Sequence, residues 1–158
     1  MKTHIKTCFL LAALCSFAIT SPARADYVKP AIQHAPFGEF RVVVPITSDD
    51  ASVWKFRLHN AINGTKVANE SGGTMQAKVV LYGSGVKMLK QPIDPELKKD
   101  IDAARAAGVQ INVCNFSLKG MNQDFHDLYG VQETDIVPSG FAEVGWLASH
   151  GWGVDPSN

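Results

Sequence analysis

The chain has 158 residues with fifteen acidic and fifteen basic side chains, and 46% of its residues are hydrophobic. That length suits one domain around one core, and the charge balance gives no excess to draw the chain to nucleic acid or to an anionic membrane surface. No repeat or low-complexity tract interrupts it.

Lys2 and Lys6 precede an apolar run from Cys8 to Ile19, followed by Ala23-Arg24-Ala25. A cationic start, a short apolar stretch and a small-x-small site predict a secretory signal peptide over residues 1–25, cleaved after Ala25. The run is well short of the roughly 20 residues of a spanning helix, so no membrane segment is expected after cleavage and a periplasmic location is expected. Cleavage removes Cys8 and Cys15, leaving Cys114 as the single cysteine of the mature chain, so no internal disulfide can form.

Residues 26–39 contain Pro30, Pro36 and Gly38 without a sustained period and read as an extended N-terminal arm, with one α/β domain over residues 40–158. Phe40–Ile46 is a β-branched run predicted as a strand buried on both faces, ending at Pro45. Ser48, Asp49 and Asp50 offer helix caps, and Trp54, Leu58, Ala61 and Ile62 recur at helical spacing before Gly64, read as the stop. Thr65–Met75 reads as a polar loop and Ala77–Tyr82 as a second buried strand ending on Gly83-Ser84-Gly85.

Val86–Lys90 predicts a short helix. The next is marked by Asp94 as cap, Pro95 in its first turn, a stripe of Leu97, Ile101 and Ala104, and Gly108 as stop. Val109–Val113 is the third strand and delivers Cys114 to a helix beginning Asn115–Leu118. Asp135–Pro138 reads as a fourth strand, and Ser139 caps a last helix with Phe141, Val144 and Ala148 as its core stripe. Trp152, beside a glycine, reads as a subunit-contact residue. Alternating strands and helices predict an open, mostly parallel sheet with helices on both faces, and sites in such folds lie beyond the carboxyl ends of the strands. Gly83, Ser84, Gly85, Cys114 and Ser139 fall at such ends, and Asn115 and Ser117 follow Cys114 in its helix.

A helix N-terminus lowers a thiol pKa by presenting amides and the positive end of the helix dipole to sulfur, which would make Cys114 reactive. A buried cysteine is equally a small apolar filler, and position alone leaves both readings open. No second cysteine stands two residues away, so disulfide cycling within the chain is excluded. His126 is a candidate base for Cys114 or a surface histidine. The turn Gly83–Lys87 departs from both phosphate-loop patterns, with Met88 and Val86 where Gly and Lys are required, and reads as a tight turn. No histidines stand at metal-binding spacing, and no cofactor is expected.

Taken together, Val79–Leu89 (VVLYGSGVKML), Gly108–Asn115 (GVQINVCN), Val137-Pro138-Ser139-Gly140 and the closing helix resemble the DsrE/DsrF-like family, in particular its small exported members. The resemblance covers most of Phe40 to Gly153. It implies a flavodoxin-like three-layer fold, assembly into homo-oligomers such as trimers or hexamers, and a cysteine at Cys114. In the sulfur-relay members that cysteine carries a persulfide and passes sulfur to a thiol or sulfur-carrier protein partner. Other readings are a non-catalytic oligomeric module binding a small ligand at Gly83, Ser84, Gly85, Asn115, Ser117 and Ser139, and an intermolecular disulfide through Cys114.

Overall fold

The structure is a computed structural model and describes Val28 and residues 34–156. The chain divides into two compact units, Met1–Ala31 and Ile32–Asn158, and Val28 alone is described in the first. The predicted signal peptide and all of the predicted arm before residue 34 except Val28 lie outside the described residues.

The second unit is built in chain order from β1 (Gly38–Ile46), α1 (Ala51–Glu70), β2 (Gly73–Leu81), α2 (Pro95–Ala106), β3 (Gln110–Cys114), α3 (Asn115–Gly120), β4 (Ile136–Val137), α4 (Gly140–Ser149) and β5 (Gly153–Val154). The five strands form one sheet in the order β4-β3-β2-β1-β5, and every pairing is parallel. With helices on both faces this is a three-layer α/β arrangement of the flavodoxin-like type.

Strand alternation separates the faces. Val44, Ile46, Val79, Leu81, Ile111 and Val113 point into the main core, where α1 supplies Trp54, Leu58 and Ala61 and α2 supplies Leu97, Ile101 and Ala104. The opposite face carries a smaller cluster of Val43, Val80 and Leu147, with Tyr82, Val144 and Trp152 packed against it. Chain direction explains the asymmetry. The connections β1–β2–β3–β4 step one way across the sheet, whereas the link from β4 to β5 must return to the far edge, and α4 makes that return over the second face.

Several elements differ from expectation for physical reasons. Gly64 does not stop α1; the helix continues to Glu70, and Gly64 lies where an added Cβ would stand 2.8 Å from the Met75 methyl. The true turn is Ser71-Gly72, with Gly72 at φ +75°. β1 and β2 begin earlier than expected, and their first halves alternate exposed Glu39, Arg41, Thr74 and Gln76 with partly buried Phe40 and Met75. These strands are therefore buried on both faces only at their carboxyl ends.

Pro45 does not end β1. The Val43 carbonyl faces β5, where it accepts from Asp155 N–H at 2.9 Å, and Pro45 points the same way beyond the last residue of β5. Its missing N–H therefore breaks no ladder bond, and its carbonyl accepts from the buried guanidinium of Arg57. The segment after β2 is a 3₁₀ turn over Gly83–Leu89, and the tail supplies a fifth strand that the sequence does not announce.

Candidate functional site

Cys114 ends β3 and caps α3. Because Val113 points into the main core, Cys114 points to the opposite face, the one crossed by α4. It pairs in register with Val137, so the end of β4 and the start of α4 lie beside it. The thiol is 3% exposed and is free.

Four polar groups favour the thiolate form of its sulfur, and one of them makes a hydrogen bond to it. Ser117 N–H donates to Sγ at 3.4 Å. The Ser117 hydroxyl and the N–H groups of Gly140 and Phe116 complete the set. Burial pushes the thiol pKa up; the Ser117 hydroxyl, then the amides of Gly140, Ser117 and Phe116, push it down, and the net result lies below the ordinary 9.0. Such an arrangement holds a sulfur anion in a largely dry setting. Two helices contribute, so the stabilisation does not depend on the short α3 alone.

The sequence-predicted site residues occupy distinct roles. Gly83, in the left-handed region at φ +53°, donates its N–H to Ser117 Oγ at 2.7 Å. That bond occupies an acceptor position of the hydroxyl and leaves its proton available to favour the nearby thiolate. Gly85 donates to the Tyr82 carbonyl at 3.2 Å, and a Cβ there would stand 2.0 Å from the Ile46 carbonyl oxygen. Gly83 and Gly85 thus engage their amides within the protein, joining the end of β1 to the sulfur site, and Ser84 lies between them. Asn115 is the first residue of α3. Ser139 caps α4, its hydroxyl accepting from Ala142 N–H at 3.3 Å, and so fixes the Gly140 amide rather than facing a ligand itself.

Gly140 is the functional residue that a position-by-position reading misses. A Cβ at Gly140 would stand 2.6 Å from Tyr82 Cβ, so glycine permits the start of α4 to close on β2 and bring its amide to Cys114. Its signal was the Ser139 cap, which marks the next residue as a free helix-start amide.

Other expectations are corrected. Phe141 is not in the core; it is 77% exposed, and Phe116 is 71% exposed. Each follows or is itself a residue whose amide reaches Cys114, so two bare phenyl rings flank the sulfur site. The side of α4 that meets the sheet is Gly140, Val144 and Leu147, so of the expected stripe Val144 packs on the sheet while Phe141 and Ala148 are exposed. Trp152, expected at a subunit contact, keeps part of its surface exposed, with Arg41 and Lys78 over its ring at 5.6 Å each. His126 is exposed and paired with Asp124 at 2.7 Å, and none of its hydrogen bonds reaches Cys114. Among the described residues no cluster of three or more His, Cys, Asp or Glu could hold a metal ion, and no helix is long and apolar enough to cross a membrane.

No family model and no curated protein matches the chain. Among solved structures it is similar to the protein of unknown function MTH1491 from Methanobacterium thermoautotrophicum, with a TM-score of 0.63 and 24% identity over 73% of this chain and 97% of that one. At that identity the likeness establishes the shared α/β fold.

Proposed function

We propose that this chain is an exported, DsrE/DsrF-like sulfur-handling protein in which Cys114, as thiolate, accepts a sulfane sulfur and passes it on. The observation that carries the reading is a single buried sulfur at the start of α3 that accepts from Ser117 N–H at 3.4 Å, with the Ser117 hydroxyl and the amides of Gly140 and Phe116 also favouring its thiolate. In the first step the thiolate attacks the outer sulfur of a persulfide or polysulfide. One S–S bond forms as the donor's S–S bond breaks, and the donor leaves as a thiolate with the electron pair. In the second step an acceptor thiolate attacks the outer sulfur of the Cys114 persulfide, and Cys114 leaves as thiolate. The same four groups stabilise Cys114 as nucleophile and as leaving group, and a lowered thiol pKa speeds departure.

The proposal includes removal of residues 1–25, work in the periplasm, and assembly into a homo-oligomer. Assembly is supported by the exposed aromatic rings of Phe116 and Phe141, and of Trp146, whose ring stacks on His150. A thiol or sulfur-carrier protein is the acceptor.

The second reading, a non-catalytic binding module of the same fold, is favoured by the 3% exposure of Cys114. Intact mass after incubation with a polysulfide donor separates the two. The sulfur-handling reading predicts a gain of one sulfur in the folded protein and none in Cys114→Ser. Equal gain in both, or no gain in the wild type, contradicts it.

A further inference from the structure

On the sheet face opposite Cys114, where α1 and α2 pack, a cleft of 440 Å³ opens near the carboxyl ends of β1 and β2. Three lysines reach it from separate segments: Lys55 from α1, and Lys87 and Lys90 from the 3₁₀ turn and its end. Its apolar wall is Ile93 together with the edges of the buried Trp54 and Leu97. The volume lies within the ~300–1,000 Å³ of small-molecule sites, and the position is where open parallel sheets bind ligands.

The charges at this cleft are unequally satisfied. Lys87 pairs with Asp49 at 3.0 Å. Asp94, also at the cleft, is occupied as the α2 cap, accepting from the N–H groups of Glu96 and Leu97 at 3.1 and 2.9 Å. Lys55 and Lys90 have no carboxylate partner among the described residues. The apolar side is pre-organised, because the Trp54 indole is held by its N–H bond to the Ser48 carbonyl at 2.7 Å. An unpaired cationic rim above a fixed apolar wall matches a molecule with one anionic end and an apolar body.

We infer that this cleft binds a small amphipathic anion, an aryl or short acyl group bearing a phosphate or carboxylate. Lys55 and Lys90 take the anionic end, and Trp54, Ile93 and Leu97 take the body. The inference is independent of sulfur chemistry at Cys114.

Phenyl phosphate and octanoate are the probes, titrated into the full mature chain and followed by amide chemical shifts. Saturable shifts centred on Lys55, Lys90 and Trp54 are expected with at least one probe. Inorganic phosphate should bind about tenfold more weakly than phenyl phosphate, and the double variant Lys55→Gln/Lys90→Gln should lose about tenfold in affinity with unchanged thermal unfolding. Failure of both probes to saturate, equal binding of inorganic phosphate, or unchanged affinity in the folded double variant would overturn the assignment.

Discussion

At the scale of single residues, the Ser117 hydroxyl links two functions. It accepts from Gly83 N–H at 2.7 Å and favours the Cys114 thiolate, while the Ser117 N–H donates to the sulfur at 3.4 Å, so Ser117 ties the turn after β2 to the sulfur. Ser117→Ala should raise the thiol pKa and cost about 1 kcal/mol in stability, the typical net worth of a buried hydrogen bond. The pH profile of iodoacetamide alkylation checks this: its midpoint should move upward in the variant, and an unmoved midpoint would remove the hydroxyl from the site. The linkage has a definite sign. A thiol whose folded pKa is below 9.0 adds stability that appears as pH rises through the folded value and is complete above the unfolded one. Wild type should therefore gain stability relative to Cys114→Ser as pH approaches 9.0. Cys114 was legible in the sequence because Val109, Ile111 and Val113 alternate with polar Gln110 and Asn112 at strand period, and the strand ends at a helix start. The Gly140 amide was not, since its approach depends on the register that pairs Cys114 with Val137, a residue distant in the chain.

At the scale of elements, glycine contacts decide where the chain bends and closes. Gly85 fits against the Ile46 carbonyl only without a side chain. Gly85→Ala should cost about 1–3 kcal/mol or more, because the contact is backbone and cannot swing aside. Urea unfolding measures it, and a change within about 0.5 kcal/mol would show that the turn accommodates the methyl. The same kind of contact explains a misread boundary. Gly64 carries a helix-stop signal in sequence, but the helix continues because packing against Met75 determines the site, and tertiary packing overrides local propensity. The caps at Asp50, Asp94 and Ser139 were legible because their side chains bond the amides that follow. β5 was not legible, since Gly153 and Val154 carry no pattern and exist as a strand only by pairing with Val42 and Val43.

At the scale of the whole molecule, the alternation of strands and helices was enough to anticipate a parallel sheet covered on both faces. Coverage of the second face was not legible, because it depends on α4 returning across the sheet from β4 to β5. That single helix leaves Phe141 exposed and Trp146 exposed on the side away from His150, with Phe116 of α3 also exposed. Each aromatic side chain carries roughly 150–250 Å² of surface, so these three expose on the order of 400 Å² between them. That is about half of one partner's share in a standard interface. Sedimentation of the mature chain should show an oligomer, and Phe141→Glu should shift it toward monomer while keeping the fold. A wild type that remains monomeric at high concentration would contradict self-association.

The pH dependence of Cys114 alkylation in the folded mature protein tests the central claim most directly. The groups that favour the thiolate predict a rate that rises, while the fold is intact, with a midpoint below the roughly 8.5 of an unperturbed thiol. A thiol that reacts only after unfolding, or with a midpoint above that value, would contradict the claim and leave Cys114 as a packing residue.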